Sequence, residues 1–401
     1  VSSYSDPFKH WGLRRAINVC GTKTGIGASR VSTETIDAVS SILPEFVDID
    51  ELQRKASELI VKSTGAEAGC ITDCSAAGVC LSVAAAITGA DLGAIEQLPV
   101  CGGRERRVAV PLGHMINYGG PVPQMITTAG AELVPLGTAA QCELYHLRYA
   151  LEQGCAAAVY IVSHHTVREG ELPLSLFIET CQQYDTPVIV DMASEYDLRT
   201  PIALGASAVI YSGHKFLSGT TSGIVAGKKE FITAVYLQSR GIGRLMKVGK
   251  ESIVGAMAAL ELWDQRDAVA IRNRELRIVA RWHEQFSDIV GMSISDHADW
   301  TGNPITRLKL KIDSATAKIY AWELSSRLAA RDPAIIVRDD LVEDGEIYLD
   351  PCNVSESEAE FAAKAIVEEM SSAIARADGC RTSWADVKRH RATEPLNWPD
   401  R

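Results

Sequence analysis

The chain has no uninterrupted apolar run of the roughly 18–20 residues that a membrane span requires. Its opening residues, VSSYSDPFKHWGLRR, lack the apolar core of a secretory signal, which predicts a cytoplasmic protein. Basic charge is not in excess: 40 Lys and Arg stand against 51 Asp and Glu, a formal charge of −11. That balance excludes a general binder of nucleic acid or anionic membrane. Repeats and low-complexity tracts are also missing, so collagen-like, disordered and coiled-coil classes fall away. Ten cysteines are present, but no CxxC pair and no zinc spacing. A chain of 401 residues, 46% of them hydrophobic, needs no disulfide framework. Cys70, Cys74 and Cys80 lie in an Ala/Gly-rich stretch and read as small buried hydrophobes in a reducing compartment. No metal site is predicted.

What is present is a βαβ rhythm. Arg107–Pro111, Ala157–Ser163, Pro187–Asp191 and Ala208–Ser212 are short and almost wholly apolar, the pattern of strands covered on both faces. Gly69–Thr72 and Val225–Lys228 add strands, and Val31–Ile42, Ile49–Thr64 and Ala76–Ile87 read as helices. The fold class is therefore α/β, a large, mainly parallel sheet with helices on both faces. Composition shifts near residue 265. Asp267–Ile289 reads as a charged amphipathic helix and Pro304–Ile312 as a half-exposed strand. A helix near 315–330, strands Ala334–Arg338 and Glu346–Asp350, and a helix near 355–375 complete a small α+β module with an antiparallel sheet. The expected division is an N-terminal arm (1–30), a large domain (31–265), a small domain (266–378) and an irregular tail (379–401). That tail begins at Gly379 and includes Trp384 and Trp398.

In open parallel sheets, ligands bind at the carboxyl ends of the strands. Asp191 ends a strand that is otherwise Val and Ile, and Ser212-Gly213-His214-Lys215 follows the next one. A buried carboxylate beside a lysine is the pairing that pyridoxal 5′-phosphate chemistry needs. The amine binds the cofactor and the carboxylate keeps the ring nitrogen protonated. Thr72-Asp73-Cys74-Ser75-Ala76-Ala77-Gly78 stands where a strand meets a helix. Small residues there let backbone N–H groups approach a phosphate. The bland reading makes Asp191 a helix cap and Lys215 a solvated loop lysine.

The order of these three elements resembles fold-type-I pyridoxal-phosphate enzymes, and more narrowly the selenocysteine-synthase-like (L-seryl-tRNA selenium transferase-like) group. The matching segments are RAINVCGTKTGIG (15–27), GHMINYGGPVPQMITTA (113–129), SHHTVREG (163–170) and SGHKFLSGTTSGIVAG (212–227), together with DPAIIVRD (332–339) and GEIYLDP (345–351). Through Gly-His-x-Ile-Asn and Ser-His-His-Thr-Val the chain is similar to the D-glucosaminate-6-phosphate ammonia-lyase-like subgroup. The resemblance implies Lys215 as the Schiff-base lysine and Asp191 as the ring-nitrogen partner. Ser75, Ala76 and Ala77 would hold the phosphate, with a hydroxyl from Ser212. His114 would stack on the ring and Ser163 bond its hydroxyl. Arg338 would clamp a substrate carboxylate, with Thr22 and Lys23 of the N-terminal loop nearby. His165 or His214 would protonate a leaving group, and at most one of His164 and His165 would face the cofactor. Arg14, Arg15, Lys23 and Arg30 are either a reader of a second anion or a solvated face.

The sequence departs from the group in three places. Cys74-Ser75 stands for Gly-Ala, Thr220-Thr221-Ser222-Gly223 replaces a Gly-Pro-Gln-x-Gly run, and Lys23 enters the N-terminal loop. These changes spare Asp191 and Lys215 and bear on the substrate. The acidic charge and a start almost at the catalytic region argue against a tRNA-dependent role. The expected function is α,β-elimination of ammonia from a β-hydroxy or otherwise β-substituted amino acid, by a homodimer or higher homo-oligomer. The alternative is racemisation, with His114, Tyr118, His164 or His165 as the second base. Transamination and non-catalytic cofactor binding rank below these.

Overall fold

The computed structural model describes residues 6–376 and 382–398. It divides into two compact units, Ser29–Arg266 and a second made of the chain up to Ala28 with everything from Asp267. Strand β1 (Ala16–Val19) belongs to the second unit. The first unit carries β2 (Ala68–Thr72), β3 (Arg107–Pro111), β4 (Glu132–Leu136), β5 (Ala157–Ile161), β6 (Val188–Asp191), β7 (Ala208–Ser212) and β8 (Gly223–Gly227).

These seven strands form one sheet in the order β2-β8-β7-β6-β5-β3-β4. Strand β8 runs antiparallel to both its neighbours, and the remaining pairs are parallel. The reversal between β7 and β8 is made by a tight turn. The Gly213 N–H donates to the Ser222 carbonyl at 2.9 Å, and the Gly219 N–H donates to the Gly213 carbonyl at 2.7 Å. Gly213 is obligatory there, because a Cβ would lie 2.0 Å from Ser222 Oγ. Alternate residues of the strands feed two cores. Val190, Val209 and Ile224 pack with Ile60, Phe177, Ile178 and Leu260 on one face. Ile189, Ile210 and Val225 pack with Val79, Val83, Ile126 and Val235 on the other. Each such side chain contributes about 1.5–3 kcal/mol on burial, which is why the strands read as continuous apolar runs.

The second unit contains β9 (Met292–Ala298), β10 (Thr306–Ile312), β11 (Ala334–Val337) and β12 (Glu346–Leu349). Strands β12-β10-β9 form an antiparallel sheet, whereas β11 pairs in parallel with β1. The sequence placed Ala334–Arg338 in the antiparallel sheet; residues 334–337 pair instead with Ala16–Val19, over a core with Trp282, Phe286 and Leu308, and only Arg338 bridges antiparallel to Tyr348 of β12. The helix expected near 315–330 is two pieces, Ser314–Ala317 and Ala321–Ala330, interrupted where Lys318 adopts φ 56°. The described part of the tail, residues 382–398, is not irregular. Trp384–Thr393 is a helix capped by Ser383 Oγ, which accepts the Asp386 N–H at 3.2 Å, and a 3-10 turn follows at Glu394–Asn397. The helix is mostly polar and so shows little apolar period; it is anchored by Trp384 against Trp322, ring centroids 5.3 Å apart, with Val387 on the same core. Gly379 lies outside the described residues. Among those described, no helix is long and apolar enough to cross a membrane.

Candidate active site

Asp191 closes β6 and is 5% exposed. Its Oδ1 accepts the Ala193 N–H at 3.1 Å. Burial pushes its carboxyl up to about 6, against the pull of the Lys215 charge and the Ala193 amide. A carboxylate in such a place is stabilised by any cation that joins it. Lys215 stands three residues beyond β7, half-buried in the turn, and its charge acts on both Asp191 and His214. His214 is pushed down, first by burial and then by Lys215, which keeps it neutral near pH 7. Its Nδ1 lies 3.2 Å from Ser212 Oγ, and its carbonyl accepts the Ser29 hydroxyl at 2.6 Å. Ser212, 2% exposed, is the last residue of β7.

The helix Ser75–Thr88 starts two residues after β2. It lies close on the sheet because Gly78 has no side chain; a Cβ there would sit 3.1 Å from Ile210 and Val225. Cys74 is its N-cap, with Sγ accepting the Ala77 N–H at 3.4 Å. The sequence read this thiol as core, but it is half-buried and caps the helix. Of the expected phosphate donors, Ala77 has thus already given its amide to sulfur. Ser75 and Ala76, at the first two helical positions, have no intrahelical acceptor and stand at the positive end of the helix, though the Ala76 amide also leans toward the Cys74 sulfur.

Tyr118 completes this group. It sits in the loop after β3, shaped by the Gly119 N–H donating to Asn117 Oδ1 at 3.0 Å. The following helix, Val122–Thr127, packs on Ser75–Thr88. The Tyr118 hydroxyl is buried and has no hydrogen-bond partner. Burial pushes its pKa up, and Asp191 and Cys74 push it further. Sequence reasoning named Tyr118 only as a base; the Asn-Tyr-Gly-Gly turn was the signal for a rigidly placed phenol.

His114 stands at the end of the short 3-10 turn that follows β3. Its ring, 1% exposed, meets Tyr160 edge-on at 4.4 Å, and Nδ1 accepts the Ile161 N–H at 3.2 Å. Nε2 lies 3.8 Å from Glu171. Ile161, whose amide His114 holds, pairs across the sheet with Asp191, and Nε2 has no hydrogen-bond partner. Ser163 falls two residues past β5, and its Oγ accepts the His165 N–H at 3.2 Å. His165 is exposed, and its ring lies on that of His164, centroids 3.8 Å apart.

The remaining expected residues lie in the second unit. Arg338 follows β11; its Nε donates to the Cys20 carbonyl at 3.3 Å, and its buried Nη1 has no partner. That unused donor can take a carboxylate oxygen. Thr22 is half-buried in the same N-terminal loop. Lys23 is ion-paired with Asp339 at 3.4 Å. Arg14 donates to the Ala330 carbonyl and Arg15 pairs with Asp6, each at 3.3 Å, so these three cations of the N-terminal region have separate partners. Sequence reasoning missed the buried network below Arg338. There Arg307 donates to Asp350 Oδ2 at 2.7 Å and to Asp299 Oδ1 at 2.5 Å.

Pyridoxal 5′-phosphate needs an amine, a carboxylate for its ring nitrogen and donors for its phosphate. Lys215, Asp191, the amides of Ser75 and Ala76 and the orphaned Tyr118 hydroxyl fit those needs. The seven-stranded mixed sheet, with a carboxylate ending β6 and a lysine after β7, defines a fold-type-I pyridoxal-phosphate enzyme with a small C-terminal domain. The chain belongs to the L-seryl-tRNA selenium transferase (SelA) family, whose model matches residues 16–319. It is 36% identical, over 88% of its length and 94% of the relative's, to D-glucosaminate-6-phosphate ammonia lyase of Salmonella typhimurium. A 5′-C-glycyluridine monooxygenase-decarboxylase from Streptomyces sp. is 31% identical over 88% of each chain. A solved structure of D-glucosaminate-6-phosphate ammonia-lyase superposes with a TM-score of 0.83 at 34% identity, covering 92% of this chain and 99% of the other.

Proposed function

We propose that the protein is a pyridoxal-phosphate-dependent ammonia-lyase acting on a β-hydroxy or otherwise β-substituted amino acid. The observation that carries this reading is Lys215 set beside the buried Asp191 in a chain 36% identical to an ammonia lyase. When bound, pyridoxal phosphate supplies an electron sink for the charge that develops at the substrate Cα. Asp191 holds the proton on the ring nitrogen, a task favoured by a carboxylate that burial leaves short of cations. The amides of Ser75 and Ala76 hold the phosphate at the helix end. Arg338, with its unspent Nη1, is the group that the family resemblance assigns to the substrate carboxylate.

Lys215 removes the proton from Cα and carries it as an ammonium to the departing hydroxyl. The Cα–H and Cβ–O bonds break, a carbon–carbon double bond forms, and water leaves. The released enamine tautomerises to an imine, and water hydrolyses it to a 2-oxo acid and ammonia. Lys215 is preferred to His165 and His214 as the acid. His165 is exposed against His164, and His214 is held neutral with Nδ1 on Ser212. Racemisation would need a second acid–base group opposite Lys215; of the candidates, Tyr118 keeps its phenol protonated.

The test has two parts. Borohydride treatment of the holoenzyme should fix the cofactor on Lys215, read by peptide mass, and Lys215→Ala should abolish the adduct. Turnover of D- and L-hydroxy amino acids, sugar-acid phosphates included, should then release ammonia and a 2-oxo acid in equal amounts. In deuterium oxide, recovery of Cα-deuterated amino acid of both hands without ammonia would replace the lyase with a racemase. Carbon dioxide release with oxygen consumption would replace it with a decarboxylating oxygenase.

A further inference from the structure

The proton-transfer scheme leaves Tyr118 without a task, yet it carries a buried hydroxyl with no hydrogen-bond partner. Such a group is costly to bury, and where it stands beside a binding site a ligand can accept from it. Its position narrows the ligand atom. The loop 112–121 leaves β3 at the carboxyl edge of the sheet and runs into the helix Val122–Thr127, which packs on Ser75–Thr88. Two groups act electrostatically on the phenol: Asp191, at the end of β6, and Cys74, the cap of Ser75–Thr88. One marks the ring-nitrogen end of the cofactor and the other its phosphate end. In pyridoxal phosphate a single ring carbon, bearing only hydrogen, separates the nitrogen from the carbon that carries the phosphate arm. A phenol along that edge meets one acceptor, the phosphate.

We infer that Tyr118 is a cofactor-binding residue whose hydroxyl donates to the phosphate of pyridoxal 5′-phosphate. The phosphate turn is short of donors. TDCSAAG contains no Lys or Arg, Asp73 adds an anion, and Cys74 Sγ occupies the Ala77 amide. The Tyr118 hydroxyl offsets that shortage. As a donor it holds its proton, which also removes it from the second-base role.

This rests on the pyridoxal-phosphate reading, and the experiment separates the two. Tyr118→Phe keeps the ring that packs against the core containing Val122 and Ile126 and deletes only the hydroxyl. Binding of pyridoxal 5′-phosphate and of pyridoxal, which lacks the phosphate, is measured on cofactor-stripped wild type and variant by equilibrium dialysis. The variant should bind pyridoxal phosphate about tenfold or more weakly and leave pyridoxal affinity unchanged. Equal loss for both ligands, or no loss for either, overturns the inference. A wild type that binds neither ligand overturns the cofactor reading and this inference with it. Because the hydroxyl has no protein partner, the stripped variant should melt no lower than wild type. A lower Tm would reveal a partner inside the protein and count against the assignment.

Discussion

Asp191 carries a carboxyl that burial raises from 3.8 to about 6. Between those values the folded, cofactor-free protein binds more protons than the unfolded chain, so stability falls as pH rises through that window. The stabilising contribution is complete below about pH 4 and gone above the folded pKa. Asp191→Asn removes the titration. The stripped variant should gain about 2–3 kcal/mol over wild type above pH 7, with the gain vanishing near pH 4, read from urea midpoints at the two pH values. The same substitution should cost turnover about a thousandfold, near 4 kcal/mol, because an amide cannot hold the ring-nitrogen proton as an anion does. A stripped variant no more stable at pH 8 than wild type would contradict the burial argument, and near-normal turnover would contradict the role. Residues of this kind are legible in sequence, since an acid ending a Val-Ile-Val run has few other reasons to be there. The surroundings of His114 were not legible, because only the packed structure shows its ring against Tyr160 and its Nδ1 on the Ile161 amide.

Strands β10 and β12 illustrate what elements add. They pair antiparallel from Leu308–Leu349 to Lys311–Glu346. At one end Arg307 reaches both Asp299 and Asp350, and the side chains are 3%, 5% and 0% exposed. Burial raises the Asp350 carboxyl, but Arg307 and Arg338 more than offset it, and the group sits below its usual range. Asp350→Ala leaves Arg307 buried with half its charge unmatched. It should destabilise the second unit by about 3–5 kcal/mol, measured by denaturant unfolding; a loss under about 1 kcal/mol would mean solvent already shares the charge. Alternation in PITRLKLKI revealed β10 but not this network, because Arg307 looks in sequence like an outward-facing residue. Likewise Lys318 offers no hint of the positive φ that splits the helix after Ala317.

Over the whole molecule, the first unit leaves apolar side chains in water. Ile36, Leu43, Phe46 and Ile49, on and after the helix Thr33–Ile42, are all exposed, and Phe46 entirely so. Exposed apolar side chains grouped in sequence in this way mark an association surface. A second copy of the chain is its expected occupant, in keeping with the homodimer or higher oligomer that the family resemblance implies. Light scattering should return a dimer or a multiple of it, and Phe46→Glu should shift the population toward monomer. A stable, active wild-type monomer would refute the assembly.

Sequence alone was enough for the α/β class, for most strands of the large sheet and for the Asp191–Lys215 pair. Those features rest on local pattern: buried strands are apolar throughout, and the residues that end them are read directly. Three features waited for the tertiary structure. The N-terminal segment pairs with β11 through hydrogen bonds between chain regions more than 300 residues apart, which no local period encodes. The tail helix is mostly polar and is held by a cap and a tryptophan contact. The unpartnered Tyr118 hydroxyl exists only as a relation among a loop, a strand end and a helix cap. Side-chain burial and hydrogen-bond satisfaction are properties of packed neighbours, so they are settled only when distant segments meet.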